Sequence, residues 1–113
     1  MACDDRYLRV CIAAGFAQRA RGLLWHAPLR ENDALLIPGC HAVHTCGMRF
    51  AIDVVFLDAT GRVLAVAAGL VPWRCAARRR ASAVLELAAG SAARFGLVPG
   101  AHLGVTANTG NEP

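Results

Sequence analysis

Two histidines, a cysteine, a methionine and an arginine crowd into the nine residues His41-Ala42-Val43-His44-Thr45-Cys46-Gly47-Met48-Arg49. Thiolate, thioether and imidazole are soft donors suited to Cu(I) or zinc. If Cys40 to Met48 is extended, alternation places Cys40, His44, Cys46 and Met48 on one face. Flat-strand geometry then works against a metal centre. Side chains at i and i+2 stand about 6.5–7 Å apart, whereas the donors of one tetrahedral metal lie within about 4 Å of each other. A sharp bend at Gly47, or donors from elsewhere such as His26, His41 or Cys75, would be needed to close the site. The spacing fits no standard zinc signature. His44 and Cys46 are the metal candidates, the identity of any metal is open, and no other cofactor is expected.

The same separation weakens a His44–Cys46 base–nucleophile pair, which requires contact near 3 Å. No glycine-rich nucleophile turn is present. Asp53, Asp58 and Glu86 are too few and too differently placed to suggest a pair of catalytic carboxylates. A non-catalytic role is therefore the leading expectation, with a Cys/His-dependent enzyme or soft-metal protein as its competitor.

Asp53 is the one carboxylate in an otherwise apolar run, Ala51 to Leu57. Burying it ionised is costly unless it is paired or hydrogen-bonded. Its expected partner is an arginine, Arg49 or Arg21 first, or the backbone N–H groups of a nearby loop. Arg49 could instead face a cleft and hold a carboxylate or phosphate bidentately. Further along, Trp73 precedes Arg74 and the run Arg78-Arg79-Arg80. An aromatic beside arginines can stack bases and hold phosphates, but single-strand binders use a series of aromatics. One Trp without a recognised module argues against nucleic acid and for a solvated basic loop or a protein contact.

The 113 residues suit one domain able to bury a core without disulfides. The net charge of +4 is carried by arginine alone among the basic side chains, a bias that accompanies abundant alanine. Five cysteines in no scaffold-like spacing read as thiols in a reducing compartment. No secretory leader is apparent, and no run approaches the roughly 20 apolar residues of a membrane span. A cytoplasmic protein is expected.

The elements that must position these residues are short. Tyr7 to Ala13 alternates as a strand, and Phe16 to Trp25 has helical spacing. Ala34 to Ile37 is a strand stopped by Pro38-Gly39. Cys40 to Cys46 is extended and Gly47 bends it. Ala51 to Leu57 is apolar on both faces and should be a central strand. Asp58-Ala59-Thr60-Gly61 turns it into Arg62 to Ala68 as a hairpin. Val71 to Ala81 reads as irregular, Ser82 to Leu87 as a strand, and Gly90-Ser91 as the cap of a helix ending near Phe95. Val98-Pro99-Gly100 is a turn before a last strand, His102 to Ala107, with residues 108 to 113 a polar tail. About seven strands and two small helices define a mainly β, single-domain sandwich or jelly-roll-like barrel.

Four stretches also carry a resemblance. Arg21-Gly22-Leu23-Leu24, the segment His44 to Asp58 with its Gly47-Met48-Arg49-Phe50-Ala51-Ile52-Asp53 centre, Gly61-Arg62-Val63, and Val84-Leu85-Glu86-Leu87-Ala88-Ala89-Gly90 resemble the bacterial and archaeal family known as domain of unknown function 192. That resemblance implies a mainly β, sandwich-like fold and no assigned activity. Relatives carry Phe at the position of Cys46 and Pro at that of Ala51, so what it shares throughout is Met48, a cation at 49 and Asp53. The candidate ligand-binding set is Trp25, His44, Met48, Arg49, Asp53 and Trp73, and the expected partner is a protein or a small anionic ligand.

Overall fold

The computed structural model describes residues 8–12 and 32–103. Among the described residues the elements run β1 (Arg9–Ile12), β2 (Asp33–Pro38), β3 (Ala42–His44), β4 (Ile52–Leu57), β5 (Val63–Leu70), β6 (Cys75–Ala77), β7 (Ala83–Ala88) and the helix α1 (Ser91–Arg94). The expected helix over 16–25, Trp25 and the strand residues beyond 103 lie outside the described residues. The protein is mainly β. A five-stranded sheet in the order β1-β2-β7-β4-β5 carries a second sheet, the two-stranded ribbon β3-β6. All neighbours in the large sheet pair antiparallel except β1 and β2.

β4 is central as expected, between β5 and β7, and all six of its residues are buried. Period-2 alternation sends its side chains to opposite faces. Ile52, Val54 and Phe56 join Val43, Met48 and Val84 in the core under the ribbon. Val55 and Leu57 join Leu85, Leu87, Val63, Ala92 and Leu97 on the other face, beneath α1 and the segment after it. Glu86 is buried in β7 with Leu35 and Val54 as its strand neighbours.

The hairpin between β4 and β5 is built by Asp58. Its Oδ1 accepts from the Thr60 hydroxyl (2.7 Å) and from the backbone N–H groups of Thr60 (2.8 Å) and Arg62 (3.0 Å). These bonds, the Thr60 hydroxyl first, hold its carboxyl below the ordinary carboxylate value. Gly61 closes the turn at φ 90°, and a Cβ there would meet the Leu103 carbonyl at 3.3 Å.

One expectation is corrected. Val71 to Ala81 is not irregular throughout, because Cys75–Ala77 forms β6 and pairs with β3 through Ala42↔Ala77, Val43↔Ala76 and His44↔Cys75. Cys-Ala-Ala has neither the β-branched residues nor the alternation that mark a strand. Its partner strand and the core beneath Ala76 make it one.

Candidate functional site

The site is built on the ribbon and the two loops at one end of it, and Thr45 joins them. Thr45 is fully buried. Its N–H donates to the Arg74 carbonyl (2.8 Å), and its carbonyl accepts from both Met48 N–H (3.1 Å) and Trp73 N–H (3.1 Å). The hydroxyl lies 2.7 Å from the Val71 carbonyl as donor and accepts from Arg74 N–H at 2.9 Å. One side chain thus ties the turn over 45–48 to the loop over 71–74. Gly47, at φ 84°, lets the first of these reverse within four residues.

This turn decides the fate of the soft donors. They do not share one face. His44 is exposed, Cys40 and Cys46 are half-buried, and Met48 turns inward after Gly47 until it is only 5% exposed. The His44 Nδ1 accepts from Cys46 N–H at 3.3 Å. Among the described residues, no three His, Cys, Asp or Glu side chains gather as metal ligands would. The nearest approach to such a grouping crosses the ribbon. His44 faces Cys75, which is exposed. The backbone bonds Thr45 N–H to Arg74 O and Arg78 N–H to His41 O mark residues 41, 43 and 45 as the bonded positions. His44 and Cys75 are therefore a non-hydrogen-bonded pair, the kind whose side chains approach more closely.

Asp53 points away from the ribbon. It is 1% exposed and bound by backbone amides. Oδ1 accepts from Gly69 N–H at 2.8 Å, and Oδ2 accepts from Gly90 N–H (3.0 Å) and Ala92 N–H (2.9 Å). Of the two kinds of partner expected for it, the structure supplies the loop amides. A register shift in β4–β5, where Ile52 pairs with Leu70 but Val54 with Ala67, brings the Gly69 amide inward. The cap expected locally from Gly90-Ser91 thus comes from a carboxylate in another strand, because Gly90 occupies the N-cap position and has no side chain to offer.

What remains at the surface is Trp73, Arg49 and His44. Trp73 is 66% exposed, and Val71, two residues before it, is 46% exposed. Trp73 is also the one non-glycine residue with positive φ (66°) among the described residues. That conformation costs an L-residue about 1–2 kcal/mol, and Thr45 holds it there. Arg49 is exposed and follows Met48, whose amide shares the Thr45 carbonyl with Trp73. Arg74 is exposed with its Nη1 3.4 Å from the Trp73 carbonyl. At the far end of the ribbon the Arg78 guanidinium lies 5.6 Å from the centre of the Phe56 ring. Residues 40–50 and 71–82 contain no carboxylate. Of the six candidate binding residues, then, Trp73, Arg49 and His44 share the surface of this end, Met48 lies beneath it, Asp53 serves the opposite face, and Trp25 is outside the described residues.

Thr45, Arg74 and Cys75 were not singled out from sequence as a group around this end. A Thr two residues before a glycine signals a turn, but its partners, 26 and 29 residues away, are visible only in the fold.

Fold and surface together define a small mainly β protein that presents an aromatic and cationic loop on a two-stranded ribbon. The chain belongs to the DUF192 family, Uncharacterized ACR, which matches residues 2–105. No curated protein matches the sequence. A crystal structure of a protein of unknown function from Novosphingobium aromaticivorans is similar, with 29% identity and a TM-score of 0.67 over 82% of this chain and 71% of that one. A Sinorhizobium meliloti chain named as a candidate transcription regulator is similar at 24% identity, with a TM-score of 0.72 over 84% of this chain and 79% of that one. At that identity the likeness concerns the fold. Among the described residues, no helix is long and apolar enough to cross a membrane.

Proposed function

We propose that this chain is a non-catalytic binding module, acting in the cytoplasm, that engages a protein or a small anionic ligand through Trp73, Arg49 and His44. The observation that carries this reading is Trp73 itself. A large apolar side chain is two-thirds exposed on a backbone held in a strained conformation by a buried threonine. Strain of this kind persists where the surroundings over-determine it, and it concentrates at ligand clamps. Aromatic and arginine side chains are also the commonest anchors of interfaces. Met48 supports the surface from within by filling the core under the loop, while Asp53 fastens the sheet edge to α1 on the opposite face. The test is native mass spectrometry of protein purified from its own host. A partner or ligand that is present with the wild type and absent with Trp73→Ala supports the reading. An unaccompanied monomer from both would sink it.

A second reading is soft-metal binding or Cys/His-dependent chemistry centred on His44. It is favoured by the His44–Cys75 cross-strand pair and by Cys46 two residues from His44. Titration with Cu(I) and with zinc, each against a competing chelator, separates the two. Stoichiometric binding that disappears in both His44→Ala and Cys75→Ser would establish it, and binding indifferent to these changes would remove it.

A further inference from the structure

We infer that the occupant of this surface is an extended acidic segment of another protein, with an apolar residue at one end of its carboxylates. This rests on the binding-module reading and specifies its partner. Three features of the surface carry it. First, the apolar part is small: Trp73 and Val71 are exposed two residues apart at one end of the ribbon, enough for one or two partner side chains. Second, cations adjoin it and recur at the far end of the ribbon. Arg49 and Arg74 lie at the Trp73 end, and Arg78, Arg79 and Arg80 follow β6 at the other. β6 has three residues, so Arg74 and Arg78 are four steps, about 14 Å, apart at about 3.4 Å per residue. An extended peptide covers that distance in about four residues, so an apolar position at Trp73 followed by acidic positions about four residues apart meets both groups. Third, the two segments that form this surface carry no carboxylate of their own. Residues 40–50 and 71–82 contain no Asp or Glu, and Asp58, in the β4–β5 hairpin, is engaged by its own turn.

Arginine suits this partner because its planar fork donates two parallel hydrogen bonds to a carboxylate. The ribbon adds length, since two short strands give a track for an extended chain. Single-stranded nucleic acid would meet the same charges, but it would find one exposed aromatic where successive bases need several. Trp73 with Val71 is better matched to an aliphatic or aromatic side chain than to a run of bases.

The experiment is fluorescence anisotropy with three labelled probes of equal length. They are a peptide with Leu followed by spaced Glu and Asp, the same peptide with Gln and Asn in their place, and oligo-deoxythymidine. Each is titrated with the wild type, Trp73→Ala, Arg74→Glu and, as a distant control, Arg62→Glu, at low and moderate salt, after thermal melts establish that every variant is folded. The acidic peptide should bind the wild type at least tenfold more tightly than the neutral one, and moderate salt should weaken it. Trp73→Ala and Arg74→Glu should each lose that preference, and Arg62→Glu should keep it. Equal affinity for the neutral peptide, tighter binding of oligo-deoxythymidine, or no binding of the acidic peptide would overturn the inference. The host-purified sample distinguishes this failure from a broader one. A Trp73-dependent partner without an acidic segment removes only the acidic class, whereas no partner at all removes the binding module with it.

Discussion

The five-stranded sheet and the β3-β6 ribbon are held by different forces. In the sheet, β4 buries every side chain, and two apolar clusters press on it from opposite faces. Its stability comes mainly from apolar area removed from water, about 25 cal/mol per Å². The ribbon buries only its inner positions, Val43 and the partly covered Ala76, while Ala42, His44, Cys75 and Ala77 face solvent. Its end is held by the bonds converging on Thr45. A layer fastened by a few directed bonds leaves its outer residues little part in stability. The difference teaches where function has room. Side chains on the ribbon's outer face can change without disturbing the core, and those of β4 cannot.

Four measurements test this division, taken from the largest expected effect. Asp53→Asn replaces a carboxylate that accepts three backbone N–H groups with an amide that cannot accept on both sides. It should cost about 3 kcal/mol in urea unfolding, with binding at the Trp73 end intact. Unchanged stability would mean that the amide clamp contributes nothing to the sheet. Thr45→Val keeps the shape of the side chain but strips its hydroxyl. A global loss of about 1–2 kcal/mol is expected, with faster amide exchange confined to residues 45–48 and 71–74. Protection lost equally across β4 and β7 would show that ribbon and sheet are one cooperative unit.

Trp73→Gly should abolish binding and leave the melting temperature unchanged or raised. Relief of the positive φ is worth at most about 1–2 kcal/mol, and the added freedom of glycine in the unfolded chain offsets part of it. A marked loss of stability would instead place Trp73 among the structural residues. The smallest effect concerns pH. The folded-state carboxyl of Asp58 titrates below its usual value of 3.8, so its contribution is present above that value and is lost as pH falls through the lower, folded one. Asp58→Asn should flatten the acid limb of the stability curve there and nowhere else. An unaltered limb would exclude the hairpin as its source.

The sheet was more legible than the site. Alternation and turn chemistry marked β1, β2, β4, β5 and β7, and the carboxylate of Asp58 announced its hairpin. Asp53 was recognisable as a buried charge requiring partners, because a carboxylate among Ile, Val and Phe is anomalous whatever the fold. The site was legible only in outline. Trp73 and Arg49 were visible as residue types, but nothing local indicated that one would be strained and exposed and both would belong to the same end. Met48 looked like a soft donor beside His44 until the turn at Gly47 carried it into the core.

By itself, the sequence determined which segments bury apolar surface, where the hairpin turns, and that Asp53 needs donors. Those are matters of short-range periodicity and of single-residue solvation. Tertiary structure alone decided that Gly69, Gly90 and Ala92 would supply those donors, that Cys-Ala-Ala would become a strand opposite His44, and that Thr45 would lock Trp73 in its exposed position. Each of these depends on groups far apart in the chain meeting at hydrogen-bond distance. Sheet order and register create those meetings, and local propensity does not encode them.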